Sequence, residues 1–199
     1  MEFSEVRTLY SVRNQGNLRC MRSKSTNLDI RVGLLRACDV QPIVDAFEVI
    51  GWNKPASQYQ RYLAEQEQGR RTVLVAFSTD NSFCGYVTIN WRSDYPPFQA
   101  EDIPEIQDFN VLPHVRRHGI GTRLMDEAER LVRERSPVVG IGVGMEADYG
   151  AAQRLYVLRG YIPDGKGLVY KNRFVRRGEQ VTVDDGLVLH FTKRLATYS

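Results

Sequence analysis

The sequence predicts a mixed α/β (α+β) fold, because strand-like and helix-like hydrophobic patterns alternate along the chain without an internal repeat. The length of 199 residues suits one compact domain. The composition, with 42% hydrophobic and 26% charged residues, is that of a globular protein able to bury a core. Taken in chain order, the patterns predict the elements β–α–α–β–β–β–α–β–α–β–β.

The first 27 residues are expected to form a polar, flexible tail, followed by a single domain over residues 28–199. The tail is rich in basic residues, has no hydrophobic periodicity and lacks the apolar centre of a signal peptide. No apolar run in the chain approaches the ~18 residues that span a membrane. We therefore expect no membrane association.

The net charge and the spacing of the cysteines and histidines limit the classes of function that the sequence allows. The net charge of +3 suits small anionic ligands and does not require nucleic acid. The chain has an odd number of cysteines, none in CxxC spacing: Cys20, Cys38 and Cys84. Its histidines, His114, His118 and His190, form no HExxH pair. This pattern argues against a disulfide framework and a metal site, and it fits the reducing cytoplasm.

The first half of the domain is predicted to contain a strand, two helices and a hairpin. Residues 28–37 alternate well enough for a strand. Two amphipathic helices should follow over residues 39–50, with an aspartate as N-cap, and over residues 55–68, with a proline in the first turn. The strands over residues 71–78 and 83–91 flank the turn signal TDNS, which predicts a hairpin.

A loop over residues 94–104 and a strand over residues 105–112 should come next. Strand alternation places Ile106 and Phe109 on opposite faces. A long amphipathic helix from Gly119 to Arg135 follows, and its apolar stripe consists of Ile120, Leu124, Met125, Ala128, Leu131 and Val132. Its outer face should carry the ion pairs Asp126–Arg130, Glu129–Arg133 and Arg130–Glu134.

The last part of the chain is predicted to add three strands and one helix. A buried strand over residues 137–145 precedes a shorter helix over residues 149–159. Two late strands lie near residues 167–171 and 186–195. The buried strand holds Gly140, Gly142 and Gly144. Because these glycines alternate along the strand, they should leave one of its faces without side chains, so that a neighbouring element can pack closely there.

A segment rich in arginine and glycine joins the strand over residues 105–112 to the long helix. It reads Arg116-Arg117-His118-Gly119-Ile120-Gly121. The first amides of a helix lack partners within it, and with the macrodipole they make an anion site. Because Gly119 and Gly121 lack Cβ atoms, a pyrophosphate could approach the main chain closely. The alternative is an ordinary strand–helix turn with solvated arginines; a Rossmann fingerprint is excluded, since its third glycine would fall at Leu124.

The context favours the anion site, because VxPxxRRxGIGTRL resembles the acyl-CoA loop of the GCN5-related N-acetyltransferases. That family's motif, Arg/Gln-x-x-Gly-x-Gly/Ala, corresponds to residues 116–121, and Val111, Pro113 and Thr122 match as well. A second segment, AAQRLYVLRGYIP, is similar to the family's Asn-x-x-Ala-x-x-Leu-Tyr-x-x-x-Gly-Phe pattern. The matching residues are Ala152, Leu155, Tyr156 and Gly160, with Tyr161 in place of Phe and Tyr149 in place of Asn.

The resemblance implies a mostly antiparallel sheet with helices on both faces and an acetyl-CoA-dependent N-acetyltransferase. A primary amine, from a small molecule or a peptide, would attack the thioester directly in a ternary complex, and a homodimer is possible. The pyrophosphate would lie on the amides of residues 117–122. The implied acetyl-CoA-binding residues are Val111, Leu112, Arg116, Arg117, His118, Gly119, Ile120, Gly121, Thr122, Tyr149 and Ala152. The alternative function is a non-catalytic acyl-CoA-binding or regulatory module of the same fold.

Two residues are the catalytic candidates. Tyr156 stands where the family's pattern places the general acid that protonates the leaving thiolate. Glu105 lies eleven residues before Arg116, the spacing of the catalytic base in the histone-acetylating branch of the family. A solvated strand-end acid is the alternative for Glu105, and Asp108, placed on the opposite strand face by its odd separation, or water are competing bases. The aromatic residues Trp52, Tyr59 and Tyr95 either line the acceptor pocket or belong to the core.

Overall fold

The computed structural model describes residues 29–196. The predicted tail and the first predicted strand residue, Leu28, lie outside these residues, as do residues 197–199. In the described part, none of the helices is long and apolar enough to cross a membrane.

Eight strands form one sheet in the order β1-β2-β3-β4-β5-β8-β6-β7. Neighbouring strands are antiparallel except β4 and β5, which are parallel, so the predicted mixed, mostly antiparallel sheet is confirmed. The strands are β1 (Ile30–Leu34), β2 (Arg71–Ser78), β3 (Phe83–Asn90), β4 (Glu105–Val111), β5 (Val138–Gly144), β6 (Ile162–Tyr170), β7 (Arg173–Phe174) and β8 (Leu187–Arg194).

Helices cover both faces of this sheet, as predicted. They are α1 (Val40–Val49), α2 (Ala56–Glu67), α3 (Pro96–Ala100), α4 (Ile120–Arg133) and α5 (Gly150–Leu158). One core joins α1 and α2 to the sheet through residues such as Phe47 and Tyr86. A second core, on the other face, joins α4 and α5 to the sheet through residues such as Leu124 and Tyr156.

The segment predicted as a loop, residues 94–104, contains the short helix α3. Pro96 and Pro97 fix the helical φ of the first turn, and Phe98 is then buried at 1% exposure. A helix of five residues is too short to show a hydrophobic period, so the pattern in the sequence could not indicate it. The strand predicted over residues 167–171 is also longer and begins at Ile162.

The three alternating glycines of β5 each leave room for a side chain from another element, as expected. A Cβ on Gly140 would lie 2.2 Å from Phe98 of α3, and a Cβ on Gly144 would lie 2.5 Å from the ring of Tyr149. A Cβ on Gly142 would lie 2.9 Å from Val188. The bare strand face therefore admits an aromatic ring at each end.

A β-bulge in β4 changes which side chains share a face. Thr88 of β3 pairs with Gln107, but Tyr86 pairs with Asn110, so β4 has one extra residue between them. Asp108 adopts a φ of 45°, in the left-handed region. An extra residue reverses the alternation beyond it.

Two predictions about β4 are therefore wrong. Ile106 and Phe109 both pack against the core beneath α4, rather than on opposite faces. Asp108 lies on the α2 face, where Tyr62 and Tyr86 bind its carboxylate. Glu105 also lies on this face. Gln107, two residues further along β4, donates a hydrogen bond to Glu105 and accepts one from Arg71, which lies below α2.

Candidate active site

A cleft of about 460 Å³ opens where β4 and β5 diverge. The two parallel strands pair at Glu105–Gly140 and Ile106–Ile141, after which their register ends. Beyond that point the walls come from β4, β5, β8 and α5, and both predicted catalytic residues, Glu105 and Tyr156, line the same cleft.

The segment of residues 116–122 forms the N-terminus of α4 at the end of β4. Gly119 is the N-cap residue with a φ of 78°, and Arg117 also has a positive φ of 66°. The amide of Arg123 donates to the carbonyl of Gly119 at 3.0 Å. The preceding amides, those of Ile120, Gly121 and Thr122, therefore have no partner within the helix, as an anion site requires.

The two glycines of this segment serve different purposes. Gly119 needs its positive φ, and a Cβ there would meet no atom within 4 Å. A Cβ on Gly121 would instead lie 3.0 Å from the ring of Phe109 and 3.6 Å from Val111. Gly121 thus permits α4 to pack closely on β4, and the expectation that its missing Cβ makes room for a pyrophosphate is wrong.

Several predicted binding residues are held by contacts with residues just before the segment, with Trp52 or with the core. Arg116 donates from Nε to the Val111 carbonyl at 3.1 Å, with its guanidinium 5.9 Å from the ring of Trp52. His118 places Nδ1 3.3 Å from the Val115 carbonyl. The side chain of Ile120 is buried in the core and anchors the turn.

The backbone of Leu112 is already engaged. Its amide donates to the Cys84 carbonyl at 3.0 Å, and its carbonyl accepts from the Val115 amide at 3.1 Å. The amide is therefore not available to a pantetheine arm, whereas the carbonyl oxygen can accept a second hydrogen bond, and the acetyl-CoA-binding role of Leu112 stays a prediction. Because backbone groups alternate along a strand, the amide of Val111 faces away from β3.

Tyr156 is buried on α5, at 5% exposure, and borders the cleft. Burial raises the pKa of its phenol well above the ordinary value of about 10, so it is protonated at neutral pH. Ala152, one turn earlier, also lines the cleft. A protonated phenol and the small side chain of Ala152 therefore border the cleft together.

Tyr149 stands on the same side of the cleft. Its hydroxyl donates to Asp185 Oδ1 at 2.8 Å, and its ring covers the bare backbone of Gly144. Burial and the hydrogen bond to Asp185 raise the pKa of Tyr149 to about 12. The phenol is therefore a neutral group on the cleft wall.

Glu105 is buried at 5% exposure, which excludes the solvated strand-end acid considered above. Its Oε2 accepts from Ser93 Oγ at 2.5 Å and from Gln107 Nε2 at 2.9 Å. Burial raises the pKa of this carboxyl group, although both hydrogen bonds act in the opposite direction. A carboxylate with a raised pKa is a stronger base than an exposed one.

Asp108, the competing carboxylate, has a different environment. Oδ1 accepts from Lys54 Nζ at 2.8 Å and from Asn110 Nδ2 at 2.9 Å. Oδ2 accepts from Gln58 at 2.7 Å, from Tyr62 at 2.9 Å and from Tyr86 at 2.5 Å. Burial alone would raise the pKa of Asp108, but Lys54 and the tyrosines lower it below its usual range. A carboxylate with five donors and a lowered pKa is poorly suited to accept a further proton.

Comparison with known proteins identifies the family of this chain. A family model described as the acetyltransferase (GNAT) family matches residues 39–161, more than half of the chain. The chain belongs to this family. No curated protein sequence matches it.

Solved GNAT-type acetyltransferases share the fold of this family member. An N-acetyltransferase from Staphylococcus aureus has 13% identity, with 83% of this chain and 98% of that chain covered and a TM-score of 0.60. Spermidine/spermine N-acetyltransferase from Vibrio cholerae has 14% identity, coverages of 84% and 94% and a TM-score of 0.59. Ribosomal-protein-alanine N-acetyltransferase from Brucella melitensis has 17% identity, coverages of 83% and 99% and a TM-score of 0.60.

Sequence reasoning missed several cleft residues of this GNAT protein. Lys54 and Asp185 line the cleft and bind Asp108 and Tyr149, and His190 of β8 lies beside Glu105. They come from segments without a motif, so no local signal marked them. Of the aromatic residues considered for the acceptor pocket, Tyr59 and Tyr95 are core residues, and Trp52 stacks on Phe47 at 5.8 Å.

Proposed function

We propose that the protein is an acetyl-CoA-dependent N-acetyltransferase that acts on a primary amine by direct attack in a ternary complex. The observation that carries this proposal is the arrangement of one cleft. A buried carboxylate and a buried phenol line the same opening between β4 and β5, and a helix N-terminus stands at the end of β4.

The described residues fit acetyl-CoA. The free amides of residues 120–122 and the charge of Arg117 suit a pyrophosphate. Ala152 and Tyr149 border the space that a pantetheine arm would need. The Val111 amide, which faces away from β3, would donate to the thioester oxygen as that oxygen gains negative charge.

Glu105 and Tyr156 would divide the proton transfers. The amine must lose a proton before it can attack, and the raised pKa of Glu105 makes it the better of the two carboxylates for this step. The nitrogen then forms a bond to the carbonyl carbon, and the carbon–sulfur bond breaks. Tyr156, protonated at neutral pH, would deliver a proton to the departing thiolate. The nitrogen loses its second proton as the amide forms, and this proton would restore the Tyr156 phenol by way of solvent.

The acceptor belongs to the class of amines. The names of two solved structures mention spermidine and the alanine of a ribosomal protein as acceptors, so polyamines and peptide N-termini are both in the class to be tested. The cleft carries groups of both signs, including Lys54, Asp108, Lys171 and Asp185. This mixture suits an acceptor with several polar groups.

The test is a panel of small-molecule and peptide amines, incubated with acetyl-CoA and the purified full-length chain. We expect release of free CoA with at least one amine and a product heavier by one acetyl group, measured with a thiol reagent and by mass spectrometry. Tight acetyl-CoA binding without CoA release from any amine would instead support the non-catalytic acyl-CoA-binding module.

A further inference from the structure

His190 is a buried histidine of β8 with a fixed ring. It is 5% exposed, and its ring stacks in parallel on Tyr95 with centroids 3.6 Å apart. The ring of Phe98 meets its edge at 5.5 Å. Two aromatic neighbours therefore hold the imidazole plane in one orientation.

The two ring nitrogens of His190 have different surroundings. Nδ1 is buried and has no hydrogen-bond partner among residues 29–196. Nε2 lies on the cleft side, where a Cβ on Gly142 would come within 3.3 Å of it. The missing side chain of Gly142 thus keeps space open in front of Nε2.

Nε2 faces the free oxygen of Glu105. The distance from His190 Nε2 to Glu105 Oε1 is 3.9 Å, whereas Ser93 and Gln107 bind the other oxygen, Oε2. A separation of 3.9 Å is too long for a direct hydrogen bond. It is short enough for one water molecule to bind both atoms, since both line the cleft.

Burial keeps the imidazole of His190 neutral. It lowers the pKa of His190 to about 4, and the negative charge of Asp164 acts in the opposite direction. Asp94 and Arg71 face Glu105 with opposite effects on its pKa. A neutral imidazole can donate one hydrogen bond without the positive charge that would weaken Glu105 as a base.

We propose that His190 is a positioning residue for the acetyl transfer: Nε2–H and Glu105 Oε1 hold one water molecule between them, through which Glu105 takes the proton of the attacking amine. This inference rests on the proposed function. The water gives a proton to Glu105 as it receives one from the ammonium, and the neutral amine attacks the thioester carbon. No electrons are exchanged with another reagent, and the proton on Glu105 later passes to solvent.

The test compares His190→Phe, which keeps a flat ring against Tyr95, with His190→Gln, which restores a donor. We expect His190→Phe to keep the acetyl-CoA affinity and lower kcat about tenfold, part of the ~10²-fold that a general base contributes. Its acid limb of kcat/KM should move to higher pH, because the Glu105 carboxylate loses a hydrogen bond. His190→Gln should recover part of both changes, and Tyr95→Phe is the packing control.

A measurement without substrate separates this inference from the proposed function. The carboxyl ¹³C resonance of Glu105, followed against pH in wild type and His190→Phe, reports the pKa directly. A higher pKa in His190→Phe supports the water-linked pair even if no amine reacts, in which case only the proposed function fails. An unchanged pKa, or an unchanged pH profile and kcat in an active enzyme, overturns the role of His190.

Discussion

At the scale of single residues, burial of Glu105 makes its carboxylate a stronger base and lowers the stability of the folded protein. A group whose folded-state pKa is raised favours the folded state below its unfolded pKa, about 4.3. This contribution is lost as the pH rises through the folded value. Ionisation of Glu105 is therefore costly to the fold, whereas its raised pKa makes the carboxylate a stronger base.

Glu105→Gln should separate these two effects. We expect a higher Tm than wild type at pH 7, a difference that disappears below about pH 4, and loss of the acid limb of kcat/KM. Thermal unfolding and rate profiles from pH 4 to pH 9 measure both. Glu101→Gln, an exposed acid before β4, is the control. An intact acid limb in Glu105→Gln would assign the base elsewhere.

Tyr156 is the second residue whose burial fixes its protonation state. We expect Tyr156→Phe to keep the fold and the acetyl-CoA affinity, because the ring still packs in the core under α4. Loss of the proton donor should lower kcat by about 10²-fold. Tyr161→Phe removes a neighbouring buried hydroxyl, 5.9 Å away between ring centroids, and controls for packing. Wild-type kcat in Tyr156→Phe would mean that Tyr156 only packs.

At the scale of elements, we expect a negative charge at the N-terminus of α4 to change helix stability and acetyl-CoA affinity in opposite directions. An acid in the first turn favours the helix by about 0.3–1 kcal/mol. The same charge would repel a bound pyrophosphate. Thr122 is exposed in this first turn and is free of packing constraints.

Thr122→Glu and Thr122→Gln differ in charge but hardly in size. We expect Thr122→Glu to bind acetyl-CoA about tenfold more weakly than Thr122→Gln, while its Tm is equal or higher. Calorimetry and thermal unfolding at low ionic strength give both quantities. Equal affinities would show that no phosphate group lies on these amides. Gly121 is less suitable, because any side chain there meets Phe109.

At the scale of the whole molecule, a buried ion cluster ties α4 to α5 and β8. Glu129, which the helical pattern placed on the outer face of α4, is 4% exposed. It accepts from Arg159 Nε at 2.9 Å and from Lys193 Nζ at 2.7 Å. Burial would raise the pKa of Glu129, but the two cations lower it below its usual range. Its contribution to stability is therefore present above about pH 4 and is lost as the pH falls.

Arg159→Met keeps the apolar stem but removes one cation. We expect the free energy of unfolding to fall by about 2 kcal/mol at pH 7. Removing the sole partner of a buried charge costs ~3–5 kcal/mol, and the loss is smaller here because Lys193 remains. The loss should shrink as Glu129 is protonated below about pH 4. Urea unfolding measures this change in the free energy of unfolding. Arg130→Met is the control, because Arg130 forms exposed ion pairs with Glu127 and Glu134. We expect its free energy of unfolding to stay within about 0.5 kcal/mol of wild type. A constant loss at all pH values would rule out the electrostatic origin.

Local signals in the sequence were enough to predict α4, the hairpin of β2 and β3, the bare face of β5 and the helix N-terminus after Gly119. Each of these depends on a hydrophobic period, a turn or a short motif within about twenty residues, so neighbours along the chain determine it. The family resemblance rests on the same kind of short segment, around Gly119 and Tyr156.

The chemistry of the cleft was decided by contacts between distant parts of the chain. The bulge at Asp108 has no signature in the local pattern, yet it brings that carboxylate to Tyr62 and Tyr86. Glu105 accepts a hydrogen bond from Ser93 and lies near His190, which belongs to a strand close to the end of the sequence. Burial and partners set the pKa of each acid, and both are properties of the packed sheet rather than of any segment.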